Sequence, residues 1–563
     1  MDCKEIILSD MYADLPLFLN RSSIRNDFAD GCIIPIEDDL VLVYQKRLSG
    51  SVFPISRYRS FYIPNLYAPV PFTISTTTFP RNALEDSGIA PVQRPPLSLS
   101  GLGTIVAVID TGIDYANVAF LNEDGTSKIL AVWDQNDNTG TPPPGLPYGT
   151  LYTKQMLDTA LSAPEPYTIV PTRDLPGRHG TNLAAIAAGK ENINTGSRGA
   201  APLASLLIVK LKSAKPYLKT YYGIEDSVLC YEESDLIAAL KFVSSYTAAP
   251  LSILLGVGTS YGDHNGNSVL ERYINRLTLR NNLSVTCAAG NEAIARHHYR
   301  GAFQSNSLEP VSVEFNVETQ MPGFLMQFHG SIPNRFSLLL RSPAGEEISN
   351  ISFDLDRSTT YTFIYSDTSL TIDSVISDPY SGEEAIYFNF KNPSIGIWQI
   401  LVTPLEIYTP GYFDFWLPVT ELLSGTVTFL NADPYITLTA PSMASNCICV
   451  SAASGTEGIP LPYSGRGYLK NGSVKPDISA PGLEIETPFG TVGGTAPAAA
   501  LTCGAASLFL EWATLRERLT LVNGAEVKAL FIRGAKREKS LAYPNPESGF
   551  GELDLENVFR VVR

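Results

Sequence analysis

Histidine is scarce in this 563-residue sequence, with five in all (His179, His264, His297, His298 and His329), so imidazole chemistry has few places to reside. Charge is thin as well: 17% of residues are charged, and no Lys/Arg-rich run rises above the formal balance of -16. With no basic patch to displace counterions from phosphates, nucleic acid is not an expected partner, and the acidity reads as solubility. The seven cysteines are scattered without the spacing of a disulfide or zinc framework, which fits a reducing compartment. No run of about twenty apolar residues is there to cross a membrane, so no membrane partner is expected. The start Met1-Asp2-Cys3-Lys4-Glu5 lacks the basic and apolar regions of a secretory signal, and residence inside a cell is the expectation. Nothing in the sequence asks for a metal or another cofactor.

What is present is core material, 44% hydrophobic residues in a chain too long for one core, which predicts several domains. Residues 1 to about 75 mix short apolar runs such as Leu40-Val41-Leu42-Val43-Tyr44 with turn residues and end in a Pro/Thr-rich stretch from Pro64 to Pro80, a small α/β module followed by an extended linker. From Gly101 apolar strand runs (Thr104–Ile109, Leu206–Val209, Leu251–Leu255, Leu283–Cys287) alternate with helical periods, the pattern of a parallel sheet covered on both faces. Roughly 300–432 turns to alternating strands without helical period, an expected β-sandwich insertion, and the α/β texture resumes near Tyr435.

Four segments carry candidate chemistry. Asp110 closes an apolar strand in Val108-Ile109-Asp110-Thr111-Gly112, where open parallel sheets place their sites. Asp-Thr-Gly is also an aspartic-protease string, but the companion Asp86-Ser87-Gly88 lies only 24 residues upstream, too close for two lobes. His179, in Gly177-Arg178-His179-Gly180-Thr181, opens a small-residue helix between glycines that admit other backbone. Asn291, in Ala288-Ala289-Gly290-Asn291, ends a strand with a side-chain amide able to donate to a developing oxyanion. Finally, Gly493-Gly494-Thr495-Ala496-Pro497-Ala498 opens a helix whose N-terminal N–H groups and dipole lie beside residue 496.

These four strings in this order, with Gly199-Ala200-Ala201-Pro202 and Lys475-Pro476-Asp477 between them, resemble the subtilisin (subtilase) family of serine endopeptidases. The resemblance implies that Asp110 orients His179, that His179 serves a nucleophile at position 496, and that Asn291 completes the oxyanion hole. Leu255, Gly256, Val257, Gly258, Gly290, Gly494 and Thr495 would bind an extended polypeptide substrate. Within the family, Gly258–Gly266 and the β-rich insertion are similar to the Csp proteases of clostridial spores, which convert the precursor of a cortex-lytic enzyme during germination. That likeness implies a prodomain at 1–80, a subtilisin-like catalytic domain at 81–299 and 434–563, an inserted jelly-roll domain at 300–433, and a cytoplasmic or spore-associated protein. The prodomain tail would lie in the cleft, with self-cleavage placed between Thr76 and Asn82.

The sequence departs from the family at the decisive atom. Ala496 carries a methyl group where the serine hydroxyl belongs, and loss of the nucleophile costs about 2 × 10⁶ in turnover in subtilisin. Two readings stay open: an endopeptidase inactivated by a serine-to-alanine substitution, and a natural pseudoprotease that binds or signals without cutting.

Overall fold

The computed structural model of the chain describes residues 2–19, 31–47, 63–73, 82–174, 177–192, 197–246, 248–304, 309–352, 357–375, 382–455, 458–519 and 521–562. Its centre is an eight-stranded sheet in the order Ile478–Pro481, Ile448–Ala453, Leu283–Ala288, Leu251–Leu255, Ile105–Asp110, Ser205–Lys210, Ile129–Asp134, Thr150–Thr153. All neighbours run parallel except the last edge strand. The apolar runs alternate between two cores, as the two-residue period of a strand requires. Val106, Val108, Leu206, Ile208 and Leu254 join the helices His179–Ala188 and Thr495–Leu510 on one face. Ile105, Ala107, Ile109, Leu207, Val209 and Ile253 meet Glu233–Tyr246 and Val269–Leu277 on the other.

The stretch Thr495–Leu515 is long and apolar enough to cross a bilayer, yet 83% of its most apolar window is buried, which makes it the core helix of the body. Its many alanines let it lie close to the helix His179–Ala188 in the same core.

At the N-terminus a short helix, Cys3–Leu8, is capped by Asp2 and Glu5 and packs on a three-stranded antiparallel sheet of Tyr12–Phe18, Leu40–Lys46 and Cys32–Pro35. Ile34, Leu42 and Tyr44 extend this module into the core that the helices Glu233–Tyr246 and Val269–Leu277 share. One expectation is corrected here: Cys3 and Cys32 form a disulfide, their Cα atoms 5.4 Å apart. A spacing of 29 residues carries no signature; the helix brings Cys3 against the strand that begins at Cys32. The other five cysteines are free and buried.

Between His298 and Phe429 the chain builds two antiparallel sheets, of six and five strands, around a core rich in Phe and containing Trp398. The longest strand, Gly396–Glu406, turns every second residue inward (Trp398, Ile400, Val402) as the pleat dictates.

Candidate active site

The parallel strands end in the loops that build the site, as open α/β sheets do. Asp110 is the last residue of its strand and fully buried; His179 is the first of its helix, after Arg178 in the left-handed region at φ 54°. Although 69 residues apart, they meet with His179 Nδ1 2.7 Å from Asp110 Oδ1, which also accepts the Thr111 N–H at 2.7 Å. Asp174, absent from the sequence-based site, holds both loops: it accepts Thr111 Oγ1 at 2.6 Å through one oxygen and the Thr181 N–H and hydroxyl, each at 2.7 Å, through the other.

Asn291 is held with equal definition. Its Oδ1 accepts from the Thr495 N–H at 3.2 Å and the Thr495 hydroxyl at 3.0 Å, which turns Nδ2 into the cleft. Thr495 Oγ1 also accepts the Gly290 N–H at 3.1 Å, so this hydroxyl is engaged in positioning and faces neither His179 nor the cleft. Ala496 follows as the second residue of the helix and is fully buried. Gly494 lies at φ 132°, and a Cβ there would sit 3.1 Å from the Pro71 carbonyl oxygen. Gly256 is equally constrained: a Cβ would stand 2.6 Å from Asp110 Oδ2 and 3.2 Å from His179 Cε1. Leu255 is a core strand residue paired with Ile109 and Cys287.

The cleft holds the chain's own residues 66–73. Leu66–Pro69 pairs antiparallel with Tyr231–Glu232 on one side and Val257–Gly258 on the other, a strand added between two edges. Proline has no N–H, so of residues 69–71 only Val70 can donate, and it bonds the Gly256 carbonyl at 2.8 Å. Thr73 then exchanges backbone bonds of 2.8 and 3.2 Å with Gly493. Between these anchors the Val70 carbonyl lies 2.8 Å from His179 Nε2, the Pro71 carbonyl accepts from Asn291 Nδ2 at 2.8 Å, and the Phe72 ring stacks on His179 with centroids 4.5 Å apart. The sequence signalled an extended proline-rich linker here, and the family resemblance a tail lying in the cleft, but neither named these residues or their contacts. The stretch from Thr76 to Asn82, where self-cleavage was expected, lies outside the described residues up to 81.

An imidazole facing a carboxylate and a carbonyl, both acceptors, bonds them best with a proton on each nitrogen. Burial opposes that charge, but the Asp110 carboxylate and then the Val70 carbonyl outweigh it and raise the His179 pKa above its ordinary value. In that state no lone pair is free to take a proton from a nucleophile.

A family model described as the Subtilase family matches residues 101–321 and 431–552. Among solved structures, the chain is similar to the Clostridium perfringens CspB protease, with 28% identity and a TM-score of 0.75 over 85% of this chain and 97% of that one. Thermitase from Thermoactinomyces vulgaris is 26% identical over 216 residues, 38% of this chain; the match spans 57% of thermitase.

Proposed function

We propose that this chain, which belongs to the subtilase family and is similar in structure to a Csp protease, is a peptide-binding pseudoprotease. Its cleft receives an extended strand and does not cut it. Asp110, His179 and Asn291 keep the bonds that a peptidase needs, whereas the reacting position is closed twice. The methyl of Ala496 has no oxygen to attack with, and the Val70 carbonyl occupies the His179 nitrogen to which a hydroxyl at 496 would have to bond. The contact between Val70 and His179 carries this reading, because it blocks the base independently of residue 496.

Residues 1–80 then act as a retained prodomain whose tail fills the cleft. The double sheet of 298–429 is its jelly-roll insertion, and 81–299 with 434–563 form the subtilisin-like body. A second reading is favoured by the intact pairing of Asp110 with His179: with serine at 496 the chain would be a Csp-type endopeptidase that cuts its own prodomain. Ala496→Ser, followed by a denaturing gel and a serine-directed fluorophosphonate, separates the two. The pseudoprotease stays whole and unlabelled; the endopeptidase releases an N-terminal fragment and takes label on the large one.

A further inference from the structure

We infer that the inserted β-sandwich is the second wall of the peptide groove and reads the side chains that the bound strand turns away from the body, taking an aliphatic residue at position 66 and an alanine-sized one at position 68. This rests on the reading of the cleft as a peptide groove and adds the residues that choose its occupant. Successive side chains of a strand point to opposite faces, so a peptide laid on the body alone would bury one set and leave the other in water. Here both sets are buried: Leu66, Tyr67 and Ala68 are each at most 1% exposed. Tyr67 enters the core shared with Glu233–Tyr246 and Val269–Leu277, whereas Leu66 and Ala68 join a separate apolar cluster.

That second cluster has two sources. The body gives Tyr217, Leu218 and Tyr222 from the helix Pro216–Tyr222, together with Tyr261. The insertion gives Leu325, Ala385, Tyr387, Val419 and Leu422, all of which lie within 322–430, the stretch that the subtilase family model leaves unmatched. The short helical turn Thr420–Leu422 runs alongside Leu66–Pro69. It is fastened there, because Glu292, next to Asn291, accepts the Thr420 N–H at 3.3 Å and the Thr420 hydroxyl at 3.2 Å, and Ser260 Oγ donates to the Leu417 carbonyl at 2.7 Å. Farther along, the Gly262 N–H bonds Gln327 Oε1 at 3.1 Å, and a Cβ on Gly223, just past the helix, would lie 2.6 Å from the carbonyl carbon of Gly323. The insertion therefore meets the body backbone to backbone and has no slack to take up a larger occupant. A space closed in this way tolerates neither an added branch nor a buried charge. Leu66 sits among apolar and aromatic side chains, which favours an aliphatic residue, and Ala68, paired with Gly258 alongside the turn Thr420–Leu422, leaves room for a methyl group.

The test is hydrogen exchange on the full chain, read at two pairs of amides. Val70 and Thr73, bonded to Gly256 and Gly493, report the strand in the groove; Leu422 and Leu423, bonded to Val419 and Thr420, report the turn of the insertion. Leu66→Ile and Leu66→Met keep both pairs within about threefold of the unaltered chain, while Leu66→Asp and Ala68→Leu speed exchange at both pairs by at least about tenfold. Adding Leu422→Ala or Val419→Ala to Ala68→Leu restores most of the protection at Val70, as expected when two side chains compete for one space, and does nothing for Tyr67→Trp, whose side chain faces the body. The assignment is overturned if all four amides keep their protection in Leu66→Asp and Ala68→Leu, or if the strand loosens while Leu422 and Leu423 stay protected. Both results are read with the insertion unaltered, so they decide the matter even where a variant in the insertion folds poorly; folded insertion variants that fail to rescue Ala68→Leu overturn it as well. If the cleft is not a peptide groove at all, Val70 and Thr73 exchange freely already in the unaltered chain, so failure of the broader reading gives a different result.

Discussion

Replacing Lys215 by methionine tests how the N-terminal module is fastened over the body. Lys215 is buried at the junction, where its Nζ pairs with Asp14 of the N-terminal sheet and donates to the Tyr12 carbonyl at 3.1 Å. Its backbone N–H bonds Glu232 at 2.7 Å, and Lys212 lies 2.9 Å from Asp235 and 3.9 Å from Glu232. Two lysines thus face three carboxylates in a site closed to water, and burial, followed by repulsion from Glu232, raises the Asp14 pKa well above its ordinary value. Removing Lys215 leaves one cation against three carboxylates. Breaking a buried pair from one side costs about 3–5 kcal/mol, since the remaining charge stays desolvated.

The sign with pH follows from Asp14. A carboxyl with a raised pKa in the fold contributes its stability at low pH and loses it as pH rises above the unfolded value, near 3.9. Without Lys215 that pKa rises further. The penalty of Lys215→Met is therefore largest at pH 8 and shrinks toward pH 5, and Asp14→Asn in the same background recovers most of it. Urea unfolding at the two pH values measures it. A loss under about 1 kcal/mol at pH 8, or an equal loss at both, refutes the reasoning. Glu232 also sits on the two-residue strand that pairs with Leu66–Tyr67, so the same variant loosens the segment in the cleft.

Other expectations are narrower. Gly256→Ala places a methyl group against Asp110, Leu183 and His179; overpacking there costs about 1–3 kcal/mol in unfolding and shifts or abolishes the downfield NMR proton of the His179–Asp110 bond. The His179 pKa is raised, so the stabilisation from its bonds is full below about 6.5, the unfolded value, and is lost as pH rises through the folded one; the protection of the Val70 amide, its exchange rate relative to an unstructured amide at the same pH, should fall across that upper window and stay constant below it. His264 stacks on Trp416 at 4.0 Å, and burial, opposed by the hydrogen bond to the Ser260 carbonyl, pushes its pKa down to about 3. Stability should fall by about 1.4 kcal/mol per pH unit between about 6.5 and 3, a slope that His264→Gln removes; equal slopes in urea titrations would contradict this.

Local chemistry explains what could be read from the chain in advance. Asp110, His179, Asn291 and residue 496 each lie where a strand ends or a helix begins, and short strings with glycines fix such places. The parallel sheet was legible because its strands are apolar on both faces. For residues 66–73 the family resemblance supplied only the expectation that a segment from the N-terminal part lies in the cleft; which residues fill it was not legible, because their partners are Tyr231, Gly256, Asn291 and Gly493, far along the chain, and a Pro-Val-Pro run looks the same in a linker as in a groove. Cys3 and Cys32 have no telling spacing. Neither did the sequence reveal that His264, His298 and His329 gather on one indole, Trp416, since each comes from a different segment.

The claim that the centre is a peptidase site shut at both the nucleophile and the base is met most directly by two variants and one fluorophosphonate. Ala496→Ser alone should take no label, because the Val70 carbonyl still holds His179 Nε2. Ala496→Ser combined with Val70→Gly, Pro71→Gly and Phe72→Gly should take label at residue 496. Label on the single variant contradicts closure by Val70, and a combined variant that stays unlabelled while folded contradicts the peptidase geometry itself.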